Sequence, residues 1–358
     1  MMLTSCTEQE VLLDVQSGIG FITLNKTRSL NALTQNMCAR VDQALIEWAD
    51  DDAVKAVVIQ GAGEKAFCAG GDVISITNRA RADVDEAMGF FEVEYNMNSR
   101  IFHFPKPYIA LLDGYTMGGG VGISAYGSHK IVTERTLFSM PETRIGLIPD
   151  VGTSYLLSRM PGMLGMYLAL TGDKLKAEDA LYCGFGSAYI PSTKLDDFVT
   201  ALKLENITSH DDVDHLIARF AELPEAEGYL ETYRDVIDVI FAEDNVRQMK
   251  LKLQDLDDEW AQKTIDTLNI MSPTSLQITC AQIGRGKELD FDDCLIMEYR
   301  IVHRMLREGS DFFEGVRAIL VDKDMKFDWQ PSRVRDVTEQ DIQRHFKPLA
   351  NDLVIKKH

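Results

Sequence analysis

"DGYTMGGGVGISAYGSHKIVTERTLFSMPETRIGLIPDVG", residues 113 to 152, holds three consecutive glycines and, further on, two acids, Glu142 and Asp150, each directly after a proline. The glycines follow a β-like run, PYIALLDG (107–114), and precede an apolar stretch with Val121, Ile123, Ala125 and Tyr126. A glycine inside a helix costs about 1 kcal/mol relative to alanine, so the cluster reads as a strand-to-helix turn. Such a turn presents N–H groups at the positive end of a helix, and missing side chains let a ligand approach them. CAGGD (68–72) offers a second loop of this kind, and two N–H donors converging on one oxygen form an oxyanion hole. Either loop alone reads more readily as tight packing; the pair points to function. Between Glu142 and Asp150 the run IGLIP is strongly apolar, and burial there would raise a carboxyl pKa toward the range of a general base. In a chain with 56 acidic residues, solvated surface is the competing reading of any such pair.

Working outward, GIGFITLN (18–25), AVKAVVIQG (53–61) and HKIVTERT (129–136) also read as strands, rich in Val and Ile and bounded by Gly or charge. Between the first two, residues 33–51 place Met37, Val41, Ala44, Leu45 and Trp48 at helical spacing behind Thr34 as an N-cap. Strand, helix, strand predicts an α/β fold with parallel pairing and right-handed crossovers. From about residue 206 the chain changes to acidic, helix-forming sequence with apolar residues at i, i+3, i+4. The reading is a core over 8–205 and a mostly helical region over 206–358, with no internal repeat.

The 358 residues carry a net charge of −19, which repels phosphate and argues against nucleic acid or an anionic membrane as partner. No run of about 18 apolar residues predicts a membrane span. Six scattered cysteines without a C-x-x-C pair indicate reduced thiols in a cytosol-like compartment. The start, MMLTSC, superficially suggests a lipoprotein site but lacks the basic and apolar regions of a signal. VVIQGAGEKAFCAGGD (57–72) fits the dinucleotide fingerprint literally at Gly61, Gly63 and Ala66, yet the glycines of CAGGD interrupt the helix that a Rossmann turn requires. Neither Ser124 nor Ser154 stands in a G-x-S-x-G elbow, His129 reads as structural on its strand, and metal-ligand spacing is absent.

With NKTRSLNAL (25–33), KAFCAGGD, FFEVEYNMN (90–98), LALTGDKL (168–175), MSPTSLQIT (271–279), MEYRIVHRM (297–305) and DFFEGVRAILVDKD (311–324), the chain resembles the crotonase, or enoyl-CoA hydratase/isomerase, superfamily over nearly its whole length. The last three segments resemble the branch that hydrolyses 3-hydroxyisobutyryl-CoA in valine catabolism. The resemblance implies a crotonase-like spiral core of ββα turns with a helical C-terminal region. It also implies an acyl-CoA substrate with no separate cofactor and no metal, and self-association through the C-terminal helices. The compartment it implies is the cytoplasm, or the mitochondrial matrix for a processed precursor.

Position by position, the resemblance implies oxyanion donors at the N–H groups of Ala69 and Gly119, and catalytic acids at Glu142 and Asp150. Glu94 borders the same pocket, Gly70, Gly71 and Asp72 line the first loop, and Arg28 and Leu30 lie near the CoA phosphates. The chain departs from the hydratase pattern at Gly122, where hydratases carry a second catalytic glutamate. Hydration across a double bond needs two carboxyl groups, whereas a thioester with a leaving-group pKa of roughly 8.5 can be hydrolysed with one base and an oxyanion hole. Hydratase or isomerase chemistry, with Glu94 or Asp150 as the replacement acid, and a non-catalytic scaffold are the alternatives.

Overall fold

The computed structural model of the protein describes residues 9–307 and 309–356; the lipoprotein-like start and Cys6 lie outside them. Among the described residues nine short strands are labelled β1 (Val11–Gln16), β2 (Ile19–Leu24), β3 (Ala56–Gly61), β4 (Ala66–Cys68), β5 (Tyr108–Leu112), β6 (Tyr115–Met117), β7 (His129–Val132), β8 (Leu137–Ser139) and β9 (Ala188–Tyr189). They form a six-stranded sheet in the order β1-β2-β3-β5-β7-β9 and a three-stranded sheet, β4-β6-β8. Among these strand pairs β1–β2 is an antiparallel hairpin and the rest are parallel. The chain thus lays one strand in the large sheet, turns a corner, lays one in the small sheet, and returns through helix. This repeated ββα turn is the spiral of a crotonase-type α/β fold. The corners are tight: at Gly114, with φ of 107°, an added Cβ would stand 2.6 Å from the Lys65 carbonyl oxygen of the layer below.

The four strands read from the sequence are β2, β3, β5 and β7. Both of their faces are covered, as parallel strands require. Ile22, Leu24, Val57 and Ile59 point into the main core with α1 (Gln35–Asp50). Phe21, Val58, Ile109 and Ile131 point the other way, against the helices Leu195–Leu204 and His210–Phe220. Thr34 caps α1 as expected, accepting the Met37 N–H at 3.2 Å. α2 (Val73–Ala82) and the long α3 (Val84–Phe102) lead from β4 to β5, and α4 (Gly119–Gly122) is the short helix after the triple glycine. His129 is structural: buried, with Nδ1 at 2.8 Å from Ser128 Oγ and Nε2 at 3.2 Å from Asp214.

The C-terminal helices lean on this core; the helix Pro273–Gly286 and the helix Phe291–Met305 pack on the short helix α5 (Thr153–Ser158) that follows Asp150. The five cysteines among the described residues are free and buried. Among the described residues no helix is long and apolar enough to cross a membrane.

Candidate active site

Gly118 opens the site. Its φ of 50° and ψ of −122° belong to glycine, and they swing the chain so that Gly119 becomes the first residue of α4. The Gly119 N–H therefore has no acceptor within the helix. The second donor comes from CAGGD, and here the structure corrects the sequence reading. The Ala69 N–H donates to the Leu30 carbonyl at 3.0 Å, so Ala69 is not a free oxyanion donor. The Leu33 N–H donates to the Gly70 carbonyl at 2.8 Å, and the Asp72 N–H to the Leu33 carbonyl at 2.9 Å. Along an extended strand successive N–H groups alternate in direction. The residue between, Gly71, therefore turns its N–H away from the 30–33 segment. That nitrogen lies 3.4 Å from where a Cβ on Gly119 would stand. The two N–H groups that converge are those of Gly71 and Gly119.

Three carboxyl groups close on this point. Glu94 comes from the middle of α3, Glu142 from the 3-10 turn Glu142–Ile145 behind Pro141, and Asp150 from the loop ahead of α5; all three are buried. Glu94 Oε1 is 2.5 Å from the Cβ position of Gly119, and Glu142 Oε1 is 2.9 Å from that of Gly118. Glu94 Oε1 and Glu142 Oε2 have no hydrogen-bond partner, whereas Asp150 Oδ2 accepts the Tyr95 hydroxyl at 2.6 Å. No ion pair among the described residues engages these acids. Burial first, then the Asp150 and Glu142 charges, pushes the Glu94 carboxyl well above the usual range; burial and then Asp150 do the same to Glu142. Burial raises Asp150 to about 6, with the Tyr95 hydroxyl holding it down. Three carboxyl groups so placed hold their protons more tightly than free ones, and an unpartnered oxygen with raised basicity suits a general base.

The remaining sequence candidates separate. Gly70, with φ of 107°, carries the bend between Ala69 and Gly71. The Asp72 carboxylate is spent on structure, capping α2 at the Ser75 N–H (3.2 Å) and pairing with Lys26 Nζ (3.1 Å), so the structure does not offer it to a substrate. Leu30 lines a cleft of about 320 Å³ with Thr27, Gly63 and Lys65, and Arg28 is exposed in the adjacent 3-10 turn Thr27–Ser29.

Gly122 faces the far wall. A Cβ there would stand 2.7 Å from Val151 Cβ and 3.0 Å from the Asn98 side-chain amide. The space that a glutamate side chain would need is filled by Val151, whose φ of 56° is unusual for a β-branched residue. Gly122→Ala is accordingly expected to cost about 1–3 kcal/mol of stability by overpacking, measured by urea unfolding; an unchanged midpoint would show that Val151 yields freely.

A fold of stacked ββα turns, with two N–H groups and buried acids at one point, defines an acyl-CoA enzyme of the crotonase type. The enoyl-CoA hydratase/isomerase family model matches residues 19–346, and the chain belongs to this family. It is 41% identical over 349 residues to the mitochondrial 3-hydroxyisobutyryl-CoA hydrolase of Homo sapiens, and 40% identical over 349 residues to that of Gallus gallus; each match covers 96% of this chain and 90% of the relative. Among solved structures it resembles a carnitinyl-CoA dehydratase from Mycobacterium thermoresistibile, with a TM-score of 0.91 and 38% identity over 98% of this chain and all of that one. An enoyl-CoA hydratase from Rhodobacter sphaeroides 2.4.1 gives a TM-score of 0.87 and 36% identity over 97% of this chain and all of that one.

Sequence reasoning missed Tyr95, Gln282 and Glu298. Glu298 had a signal: it stands on the apolar stripe of its helix, in register with Cys294, Leu295, Ile301, Val302 and Met305, all buried. A charged residue at such a position demands partners.

Proposed function

We propose that the protein hydrolyses short 3-hydroxyacyl-CoA thioesters, with 3-hydroxyisobutyryl-CoA as its substrate, releasing the hydroxy acid and CoA. The observation that carries this reading is the pairing of an unpartnered Glu142 oxygen with the Gly71 and Gly119 N–H groups, while position 122 is closed to a second glutamate. Glu142 takes a proton from water as the water oxygen bonds to the thioester carbon, and the carbonyl electron pair moves onto the oxygen held by the two N–H groups. That pair returns as the C–S bond breaks, and CoA leaves as a thiolate that regains the proton from Glu142. Direct attack by Glu142, through a transient anhydride, uses the same donors. Asp150, fixed by Tyr95, and Glu94 bracket the acyl group and hydrogen-bond its 3-hydroxyl.

The relatives named 3-hydroxyisobutyryl-CoA hydrolase support the substrate and with it a role in valine breakdown, and their mitochondrial naming supports a mitochondrial compartment. The hydratase and dehydratase structures favour the competing chemistry, which Gly122 opposes. A buried polar site left unpaired discriminates strongly, whereas one methyl more or less is worth only about 1–3 kcal/mol. Thiol release is therefore expected from 3-hydroxyisobutyryl-CoA and, within about a hundredfold, from 3-hydroxypropionyl-CoA. Isobutyryl-CoA should be far poorer. Hydration of crotonyl-CoA, followed by loss of its ultraviolet absorbance, at a rate matching thiol release would overturn the hydrolase reading.

A further inference from the structure

We infer that Glu298, on the helix Phe291–Met305, is a positioning residue that sets where the Asp150 carboxyl group stands; this rests on the hydrolase reading above. The loop from Pro149 to Ser154 is held at four backbone points by side chains distant in sequence. The Gln282 Nε2 donates to the Pro149 carbonyl at 2.6 Å, and the Tyr126 hydroxyl donates to the Val151 carbonyl at 2.8 Å. Glu298 takes the other two. Its Oε2 accepts the Gly152 N–H at 2.6 Å, and its Oε1 accepts the Ser154 N–H at 2.8 Å and the Ser154 hydroxyl at 2.5 Å.

Glu298 has no exposed surface, so these bonds have no competition from water. The direction of each is determined. Gln282 Nε2 also donates to Ser154 Oγ, at 2.7 Å, which leaves the Ser154 proton free for Glu298. Three donors converge on two oxygens, an arrangement that only an acceptor at both positions satisfies.

What this clamp holds is a strained turn. Val151 sits at φ of 56° and Gly152 at 85°, and Asp150 immediately precedes them. A valine does not keep a left-handed backbone unless its surroundings over-determine it. Released, Val151 would relax toward negative φ, rotating the peptide that joins it to Asp150. The carboxyl group would leave Tyr95, and the Val151 side chain would leave the space opposite Gly122. The C-terminal helices thereby reach the catalytic point without touching substrate.

The test is a mutant cycle on the full-length enzyme. Glu298→Gln keeps the shape but must turn an NH₂ toward either the Gly152 or the Ser154 N–H. It is expected to lower kcat for 3-hydroxyisobutyryl-CoA by about 10- to 100-fold with KM changed by less than about threefold. In an Asp150→Asn background the same substitution should cost less than about threefold more. Losses that multiply, or an unchanged kcat in folded enzyme, overturn the inference.

Should E298Q fold poorly, Ser154→Ala removes only the hydroxyl bridge, and the same cycle applies with a loss of about three- to tenfold that vanishes in D150N. If wild-type enzyme releases no thiol, the hydrolase reading fails on its own. The positioning claim is then read from a crystal structure of whichever variant folds, in which the Tyr95–Asp150 hydrogen bond is expected to be broken; an intact bond with Val151 still at positive φ refutes it.

Discussion

Glu142→Gln lowers kcat for thioester hydrolysis by about 10²- to 10⁴-fold and leaves affinity for the CoA ester within a few fold. Glutamine has the same shape, so the pocket wall against Gly118 stays in place, but it cannot take a proton from water. The wild-type carboxyl is a base because Oε2 has no partner and burial has raised its affinity for a proton. Activity in the wild type should rise with pH through that raised pKa and plateau above it, and E142Q should lose this limb. Thiol release under single-turnover conditions gives the rate, and calorimetric titration with a non-hydrolysable thioether analogue gives the affinity. A variant that keeps a tenth of the activity places the base elsewhere.

The same substitution has a stability signature with a definite sign. The folded-state pKa of Glu142 lies above its unfolded value, so its contribution is fully present below the unfolded pKa and is lost as pH rises through the folded pKa. Glutamine does not titrate. The difference in melting temperature between E142Q and wild type should therefore move in favour of the variant from pH 5 to pH 9. A constant difference would mean that Glu142 ionises as easily folded as unfolded.

Gly119→Ala reduces kcat by about 10²- to 10³-fold, the usual cost of losing one oxyanion donor, although the N–H is still present. The added methyl would stand 2.5 Å from Glu94 Oε1, 3.2 Å from Leu33 Cδ1 and 3.4 Å from the Gly71 nitrogen. Glu94 can swing its carboxyl group aside, so the protein should fold and melt within a few degrees of wild type. The methyl then occupies the space between the two donors, where the thioester oxygen must sit. Activity near the wild-type value in G119A would mean that the oxygen binds elsewhere, and the oxyanion assignment of Gly71 and Gly119 would fall with it.

How far the site could be read beforehand depended on whether its determinants were local. Thr34 as N-cap, the strands from 18, 53, 107 and 129, and the turn at the triple glycine rest on propensity and spacing within a few residues, and each stands in the structure. The burial of Glu142 and Asp150 was legible in the apolar run between them. The free N–H in CAGGD was not. Which of Ala69, Gly70 and Gly71 points into the site depends on pairing with Leu30 and Leu33, which consumes the Ala69 donor and leaves that of Gly71.

The amino-acid sequence alone determined the α/β class, the glycine turn that frees the Gly119 N–H, the acids at 142 and 150, and the want of a carboxylate at 122. Only the tertiary structure decided that Gly71 is the second donor, that Val151 seals the space beside Gly122, and that Glu298 and Gln282, more than a hundred residues onward, hold the Asp150 loop. The physical reason is that helix and turn preferences are settled by neighbours along the chain, whereas the partner of a given N–H or carboxylate is whichever group the packed fold brings within hydrogen-bond reach.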